Sequence, residues 1–458
     1  MIMRRTRRRP SLEGPIVNDE FLASVDAASG LAALAKQLDG GLYLPSDDGW
    51  DAARTAWQLE VDQRPAAVVE AAGAADVVAT VAAAGVLGLR VAAQATGHNA
   101  APLGDLGGTI LLSTRRMRGV SVDAAMMIAR VDAGAIWGDL TPMAGANGLA
   151  ALAGSSHDVG IVGYTLGGGL SWLARSHGLA SSSVTAIDVV TADGVLWRVD
   201  QTEHLDLFWA LRGGGSDFGI VTALEFGLYP IAEVHAGALF FPLERAAEVL
   251  HAWRDWTEGL PASVTTVGRV LRFPPMPDLR PFLSGQSFAV VEAVIQEDEA
   301  TADALLAPLR ALGPAMDTFH RTPVQELDQL HMDPPGPVPS SGNGALVGSL
   351  TAGQSTRFSR RLGRRVQRCF RPNCVFSEVS WVSNAPRVVR SKDLRPTLPT
   401  TLSVSRRPRR QRRPSRKHLT ACSRCSSRTS RPPCTRTSRN AHRARRRYSA
   451  RRGRGWSR

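Results

Sequence analysis

The chain has 458 residues with 55 Lys or Arg against 41 Asp or Glu, a formal net charge of +14. The excess is local: residues 355–458 hold 32 basic and two acidic residues, so residues 1–354 carry a net −16. The length accommodates two domains of ordinary size, no apolar run reaches the roughly 20 residues that span a bilayer, and all five cysteines lie in the basic tail, which excludes a disulfide framework in the body.

In chain order, Met1–Pro10 is basic but Ser11–Glu20 supplies no hydrophobic segment. Neither a secretory nor a twin-arginine signal is read there, and a cytoplasmic location is expected. Residues 1–60 form a helical lead-in, with a helix over Leu22–Leu38, a Gly-Gly-Leu-Tyr-Leu-Pro turn and an acidic segment at Asp47–Arg54. A strand at Ala66–Glu70, an Ala/Val helix at Ala74–Leu87 and a strand at Leu89–Ala93 make a strand-helix-strand unit that ends in a Gly-His turn. Further strands fall at Ile110–Ser113 and Met127–Val131, and the helix Trp137–Asn147 is closed by Gly148 as a C′ cap. A glycine-rich loop, Asp158–Gly169, is expected to feed a helix at Leu170–His177. Helix N-termini carry free N–H groups and partial positive charge, so such a loop suits an anion.

Beyond Pro230 the pattern becomes strands at His235–Phe241 and Phe288–Val294 with helices at Leu243–Glu258 and Glu299–Leu312, an α+β arrangement. His331–Pro339 reads as a proline-stiffened connection.

Apolar periodicity stops near Thr351. Residues 355–458 are mostly Arg, Ser, Pro, Thr and Cys, a composition that cannot offset its ordering entropy and is expected to be disordered. Only three lysines occur, Lys36, Lys392 and Lys417, and the Ala/Gly/Arg usage points to GC-rich codons. Out-of-frame reading of such a gene yields this kind of tail, which is the first reading of the segment. A nucleic-acid-binding arm is the second, because runs such as Arg406–Arg416 attract phosphates. A zinc site at Cys422 and Cys425, with Cys434 and His418 at a distance, is the third and lacks paired spacing.

Two segments carry chemistry. Gln94-Ala95-Thr96-Gly97-His98-Asn99 sets an imidazole beside bare backbone amides, and Asp158–Gly169 supplies more amides without a lysine. Successive amides hold a pyrophosphate where glycine permits the dihedrals of a nest. The spacing is not G-x-G-x-x-G, which excludes the usual dinucleotide fingerprint.

Four blocks then follow one another: QATGHNAAPLG at 94–104, DVGIVGYTLGGGLSWLARSHGLASSSV at 158–184, AIDVVTADGVLWRVD at 186–200 and DLFWALRGGGSDFGIVTALEFGLYP at 206–230. In content and order they resemble the FAD-binding domain of vanillyl-alcohol-oxidase (PCMH) type flavoproteins, in particular bacterial berberine-bridge-enzyme-like and hydroxynicotine-oxidase-like members. The resemblance implies an α+β chain with a two-subdomain FAD-binding domain at 61–231. A truncated α+β substrate domain with an antiparallel sheet follows at 232–354, and the family's returning elements are expected to be missing from 355–458.

The resemblance also assigns residues. His98 matches the position of a histidyl link to the flavin 8α-methyl carbon, a link expected to raise the flavin's potential. Ser156 stands where bicovalent relatives carry Cys, which implies single attachment. Gln94, Thr96, Gly97 and Asn99 should wrap the pyrophosphate; Val159, Gly160, Gly163, Gly167, Gly168 and Gly169 should line its other side. Gly219, Ile220 and Val221 should approach flavin or adenine through their backbone. Tyr164 either lines the ring edge or packs, and His157, Trp172, Arg175 and His177 read as packing or helix-surface residues. No metal is expected.

The implied function is an FAD-dependent oxidase moving a hydride from an alcohol, sugar or amine to covalent FAD and then to dioxygen. A small-molecule substrate and dioxygen are the expected partners, not a membrane or a nucleic acid. The alternatives are an inactive flavoenzyme remnant and an Arg-tailed nucleic-acid-binding protein. Asp333, Glu292 and Glu326 are candidates for the general base by residue type alone.

Overall fold

The protein is described from a computed structural model, which covers residues 26–215, 217–275, 277, 281–340, 342–347, 351, 353, 356, 379–382 and 400–405. Helix α1 (Ala27–Ala35) begins at Asp26, whose carboxylate caps the Ser29 N–H. Strand β1 (Gly41–Tyr43) and helix α2 (Trp50–Arg54) lead to strand β2 (Ala67–Glu70). Helix α3 (Ala74–Leu87) follows, rich in helix-favouring alanine and stopped by Gly88 at φ 64°. Asp76 in its first turn accepts the backbone N–H groups of Asp39, Gly40 and Ala72 at 2.8–2.9 Å, which ties the lead-in to the helix start.

Strands β3 (Arg90–Gln94) and β4 (Thr109–Ser113) complete the first sheet, in the order β1-β2-β4-β3, with β4 parallel to both β2 and β3. All five β4 residues are buried, as a central parallel strand requires. The loop 94–99 leaves the end of β3 directly.

The second sheet is antiparallel, in the order β5-β6-β9-β7-β8, from β5 (Val120–Asp123), β6 (Ile128–Asp132), β7 (Val184–Val190), β8 (Leu196–Asp200) and β9 (Ile220–Gly227). Helices α4 (Trp137–Gly145), α5 (Ile161–Leu166), α6 (Ala174–His177) and α7 (Leu205–Gly214) belong to the same half. Trp137, Leu140, Ile161, Phe208 and Leu211 from these helices join Val189, Leu224 and Phe226 in one core. Each such side chain removed from water is worth roughly 1.5–3 kcal/mol. These two sheets are the expected two subdomains.

The remaining chain builds a larger antiparallel sheet, ordered β13-β10-β12-β11-β16-β17-β15 with β14 also on β10. Its strands are β10 (Glu233–Pro242), β11 (Val264–Arg272), β12 (Ser287–Ile295), β13 (Met316–Asp317), β14 (His320–Pro323), β15 (Gly342–Val347), β16 (Val379–Val382) and β17 (Thr400–Ser405). Helices α8 (Ala246–Thr257) and α9 (Glu299–Arg310) pack on it through Val249, Trp253, Leu306 and Leu309. The expected antiparallel α+β arrangement is present.

Three expectations need correction or placement. The lead-in helix is shorter than Leu22–Leu38, since Asp26 caps it and Lys36 ends it. The helix expected at Leu170–His177 is only α6, and a helix lies instead inside the glycine-rich loop as α5, capped at Gly160. Its apolar residues Ile161, Val162, Thr165 and Leu166 bury one face, a spacing that the intervening Gly163 obscures in the sequence. Within 355–458, β16 and β17 are strands paired into the large sheet, whereas no regular structure was expected there. The rest of that segment, except Thr356, lies outside the described residues, as do Cys422, Cys425, Cys434 and His418.

Candidate functional site

The two chemistry-bearing loops, about 60 positions apart in sequence, meet in space. Gly160 is buried, and a side chain there would stand 3.1 Å from the Ala95 Cβ and 3.8 Å from Thr96. Gly97 has φ 85°, and a side chain there would strike Ala56 at 2.8 Å, so glycine is required by a close backbone crossing. That crossing brings in a third segment: the Trp57 N–H donates to the Thr96 carbonyl at 2.9 Å.

His98 sits at the junction. Its ring stacks on Trp57 with centroids 4.1 Å apart and planes 19° from parallel. Its Nδ1 is 2.8 Å from the Thr96 hydroxyl, and its Nε2 is 3.4 Å from Asp158 Oδ1. That distance is an ion-pair separation; Nε2 makes no hydrogen bond within the protein. Burial pulls the His98 pKa below 6.5 despite the opposing pull of Asp158, so the imidazole is neutral at physiological pH. Asp158 is held by the Trp57 indole N–H at 2.5 Å and the Ser156 hydroxyl at 2.7 Å. Neither Trp57 nor the role of Asp158 was visible in the sequence.

Gln94 is buried and accepts from Gln63 Nε2 at 3.0 Å, which leaves its own Nε2 buried without a partner. Asn99 is exposed, Val159 is half-buried, and nothing lies within 4 Å of a side chain built on Gly163. Gly168 and Gly169 behave otherwise. Both have positive φ, and a side chain on Gly169 would meet Tyr164 at 2.5 Å and Ala180 at 2.7 Å, so this part of the glycine run serves a tight packed turn. Tyr164 is packed edge-on against Trp137 at 5.4 Å, and burial pushes its phenol pKa well up.

Gly219, Ile220 and Val221 lie at the start of β9. Ile220 and Val221 pair with Val190 and Val189 of β7, and a side chain on Gly219 would meet the same two residues at 2.7 Å. Arg175 donates to the carbonyls of Leu260, Pro261 and Val264, and His177 lies 3.1 Å from Gln296, so both join the two domains as packing residues.

A cavity between the domains is lined by Trp137, Ser156, Trp172, Leu327 and Asp328 among others. Asp328 has a buried Oδ1 without a hydrogen-bond partner, stands 4.0 Å from His157, and has its pKa raised by burial. It was not among the expected bases. Of those, Glu326 is exposed, Asp333 accepts from the Ser155 hydroxyl at 2.8 Å, and Glu292 is fully buried. Glu292 engages Arg269 and lies 2.7 Å from His331 Nδ1, so its two oxygens are committed.

A model of the FAD binding domain family matches residues 65–200. The (R)-6-hydroxynicotine oxidase of Paenarthrobacter nicotinovorans is 36% identical over 194 residues, 42% of this chain and 42% of that protein. Glucooligosaccharide oxidase of Sarocladium strictum is 35% identical over 222 residues, 46% of this chain and 44% of that protein. The chain thus matches less than half the length of these relatives. Among solved structures, 6-hydroxy-D-nicotine oxidase from Arthrobacter nicotinovorans superposes with a TM-score of 0.68 at 24% identity, over 80% of this chain and 81% of that one.

The chain carries an FAD-binding domain. The residues fit the cofactor. This FAD-binding domain buries polar atoms at Gln63 and Gln94 that no protein group satisfies, beside a loop with open space at Gly163. Buried polar atoms are normally satisfied, so such a cluster calls for a polar ligand. Among the described residues, no cluster could hold a metal ion and no helix is long and apolar enough to cross a membrane.

Proposed function

We propose that the protein is an FAD-dependent oxidase that takes a hydride from an alcohol, sugar or amine and passes the electrons to dioxygen. The observation that carries this reading is the convergence of Gly160 on Ala95 and Thr96 beside the unsatisfied Gln94 Nε2 and the His98 ring. Bound FAD would supply the hydride-accepting ring and, through dioxygen, the return of the electrons. Gln94, Thr96, Gly97, Asn99, Val159, Gly160 and Gly163 would hold its phosphates by amide donors, and neutral His98 would carry the covalent link. Gly167, Gly168 and Gly169 would act by shaping the turn, and Gly219, Ile220 and Val221 by their backbone.

On the substrate side, Trp137, Trp172 and Leu327 line the inter-domain cavity. The raised pKa of Asp328 moves it toward the working range of a proton acceptor, which favours it over the committed Glu292. Kinship with oxidases of a cyclic amine and of oligosaccharides supports small polar substrates of those classes.

The test is purification of the full chain followed by acid precipitation and oxygen-electrode assays with secondary alcohols, oligosaccharides and cyclic amines. Yellow protein whose flavin stays with the precipitate and which consumes oxygen with one class is the expected result. Colourless protein, retained on heparin and released by salt, overturns the reading.

A further inference from the structure

We propose that Asp158 is the proton acceptor for His98 when the histidyl-flavin bond forms. The inference rests on the reading above that His98 takes the flavin, and it concerns how the bond is made. The argument starts from the arrangement of donors. Asp158 receives Trp57 Nε1 on Oδ2 and the Ser156 hydroxyl on Oδ1, and both donors are neutral. They aim the carboxylate without cancelling its charge. Oδ1 then stands 3.4 Å from His98 Nε2, with the side chains only 22% and 17% exposed.

A carboxylate beside an imidazole nitrogen favours the tautomer with the proton on that nitrogen. The Thr96 hydroxyl, 2.8 Å from Nδ1, is therefore the donor in that contact, and the nucleophilic lone pair belongs to Nδ1. Trp57 holds the ring plane from one face, so both nitrogens are fixed in direction. The layout is that of an activated nucleophile whose base lies on the far side of the ring.

The step balances as follows. The 8α-methyl group of oxidised flavin would lose a proton to solvent, Nδ1 would bond to the 8α carbon as the Thr96 hydroxyl turns away, and Nε2 would give its proton to Asp158. The flavin ring gains two electrons and takes up two protons, and dioxygen then reoxidises it to give hydrogen peroxide. The product imidazole is neutral. Without Asp158, the Nε2 proton must leave to water or hydroxide. Among the described residues, Asp158 is the charged group that acts on His98, and burial lowers the pKa of the ring.

The experiment uses the full chain produced under riboflavin limitation, with FAD added in vitro. Total bound flavin is read by absorbance, and covalent flavin by fluorescence on a denaturing gel. Wild type should attach FAD at a rate that does not rise with pH above neutrality. Asp158→Asn should bind FAD as tightly but attach it roughly 100-fold more slowly, with a rate that rises with pH. Asp158→Glu should recover part of the rate. Attachment by Asp158→Asn at the wild-type rate, or with the wild-type pH profile, overturns the inference. If Asp158→Asn does not bind FAD, Trp57→Phe decides: it keeps the stack but removes the donor to Oδ2, and unchanged attachment in it overturns the inference. Wild type that binds FAD with none covalent overturns the inference and leaves the flavin-binding reading intact, whereas wild type without any FAD overturns both.

Discussion

In the large antiparallel sheet, Arg269, Glu292 and His331 are buried together and answer one another, whereas in the FAD-binding domain Gln63 and Gln94 are buried with amide atoms that no protein group answers. Both clusters are polar and buried, so burial alone does not separate them. Satisfaction does. A mutually paired cluster holds the fold, here by fastening the loop after residue 330 to the middle of the sheet, since Arg269 also donates to the His331 carbonyl at 2.6 Å. An unanswered cluster indicates a missing ligand.

The largest effect expected from breaking this comparison is at His98. His98→Ala should abolish covalent flavin on a denaturing gel while noncovalent FAD is retained by the loops; equal covalent retention in mutant and wild type would remove His98 from the site. At Glu292 the expected loss is in stability. Glu292→Leu leaves Arg269 buried without its carboxylate and should cost about 3–5 kcal/mol in denaturant unfolding. A cost below about 1 kcal/mol would mean that the cluster is not structural, and Glu292 would return as a candidate base.

Gly169→Ala tests the division within the glycine run. With φ 75° and Tyr164 and Ala180 within 2.7 Å of the added carbon, it should cost about 1–3 kcal/mol, while Gly163→Ala, in open space, should leave the fold intact and weaken FAD binding instead. Equal behaviour of the two variants in unfolding and in FAD titration would erase that division.

The smallest effect is at Asp328. Its pKa in the folded protein is raised by burial, so the folded state holds the proton more tightly and stability falls as pH rises through that raised value. Asp328→Asn should therefore be slightly more stable than wild type at pH 7, with the difference vanishing in acid below the ordinary value of 3.8. Melting curves at the two pH values check the sign. A fall in turnover alongside the gain in stability would identify Asp328 as a working proton acceptor.

Much of the FAD-binding domain was legible in the sequence because its signals are local. The Ala/Val run of α3 and its stop at Gly88 fix a helix within one stretch of chain, and the glycines at 97 and 160 announce turns that other residues resist. The strands at His235–Phe241 and Phe288–Val294 were legible for the same reason, from β-branched and apolar runs, whereas their antiparallel pairing was implied by the resemblance alone. The helix α5 was missed because glycine inside a short apolar pattern reads as loop, and it forms where packing of Ile161 and Leu166 into the core overrides that preference. Strand β11 was missed as well, and its burial between β12 and β16 supplies the reason it forms.

The sequence by itself determined the two loops, the nucleophilic residue type at His98 and the absence of Cys at 156. Only the tertiary structure decided which groups face that histidine. Trp57 and Asp158 are separated by 101 positions, and Arg269 and Glu292 by 23, so each pair exists only because backbone crossings and strand register bring the side chains into range. Propensity and glycine placement act over a few residues and leave a trace in the chain, whereas a hydrogen bond or a carboxylate-imidazole contact acts over about 3 Å of space and leaves none.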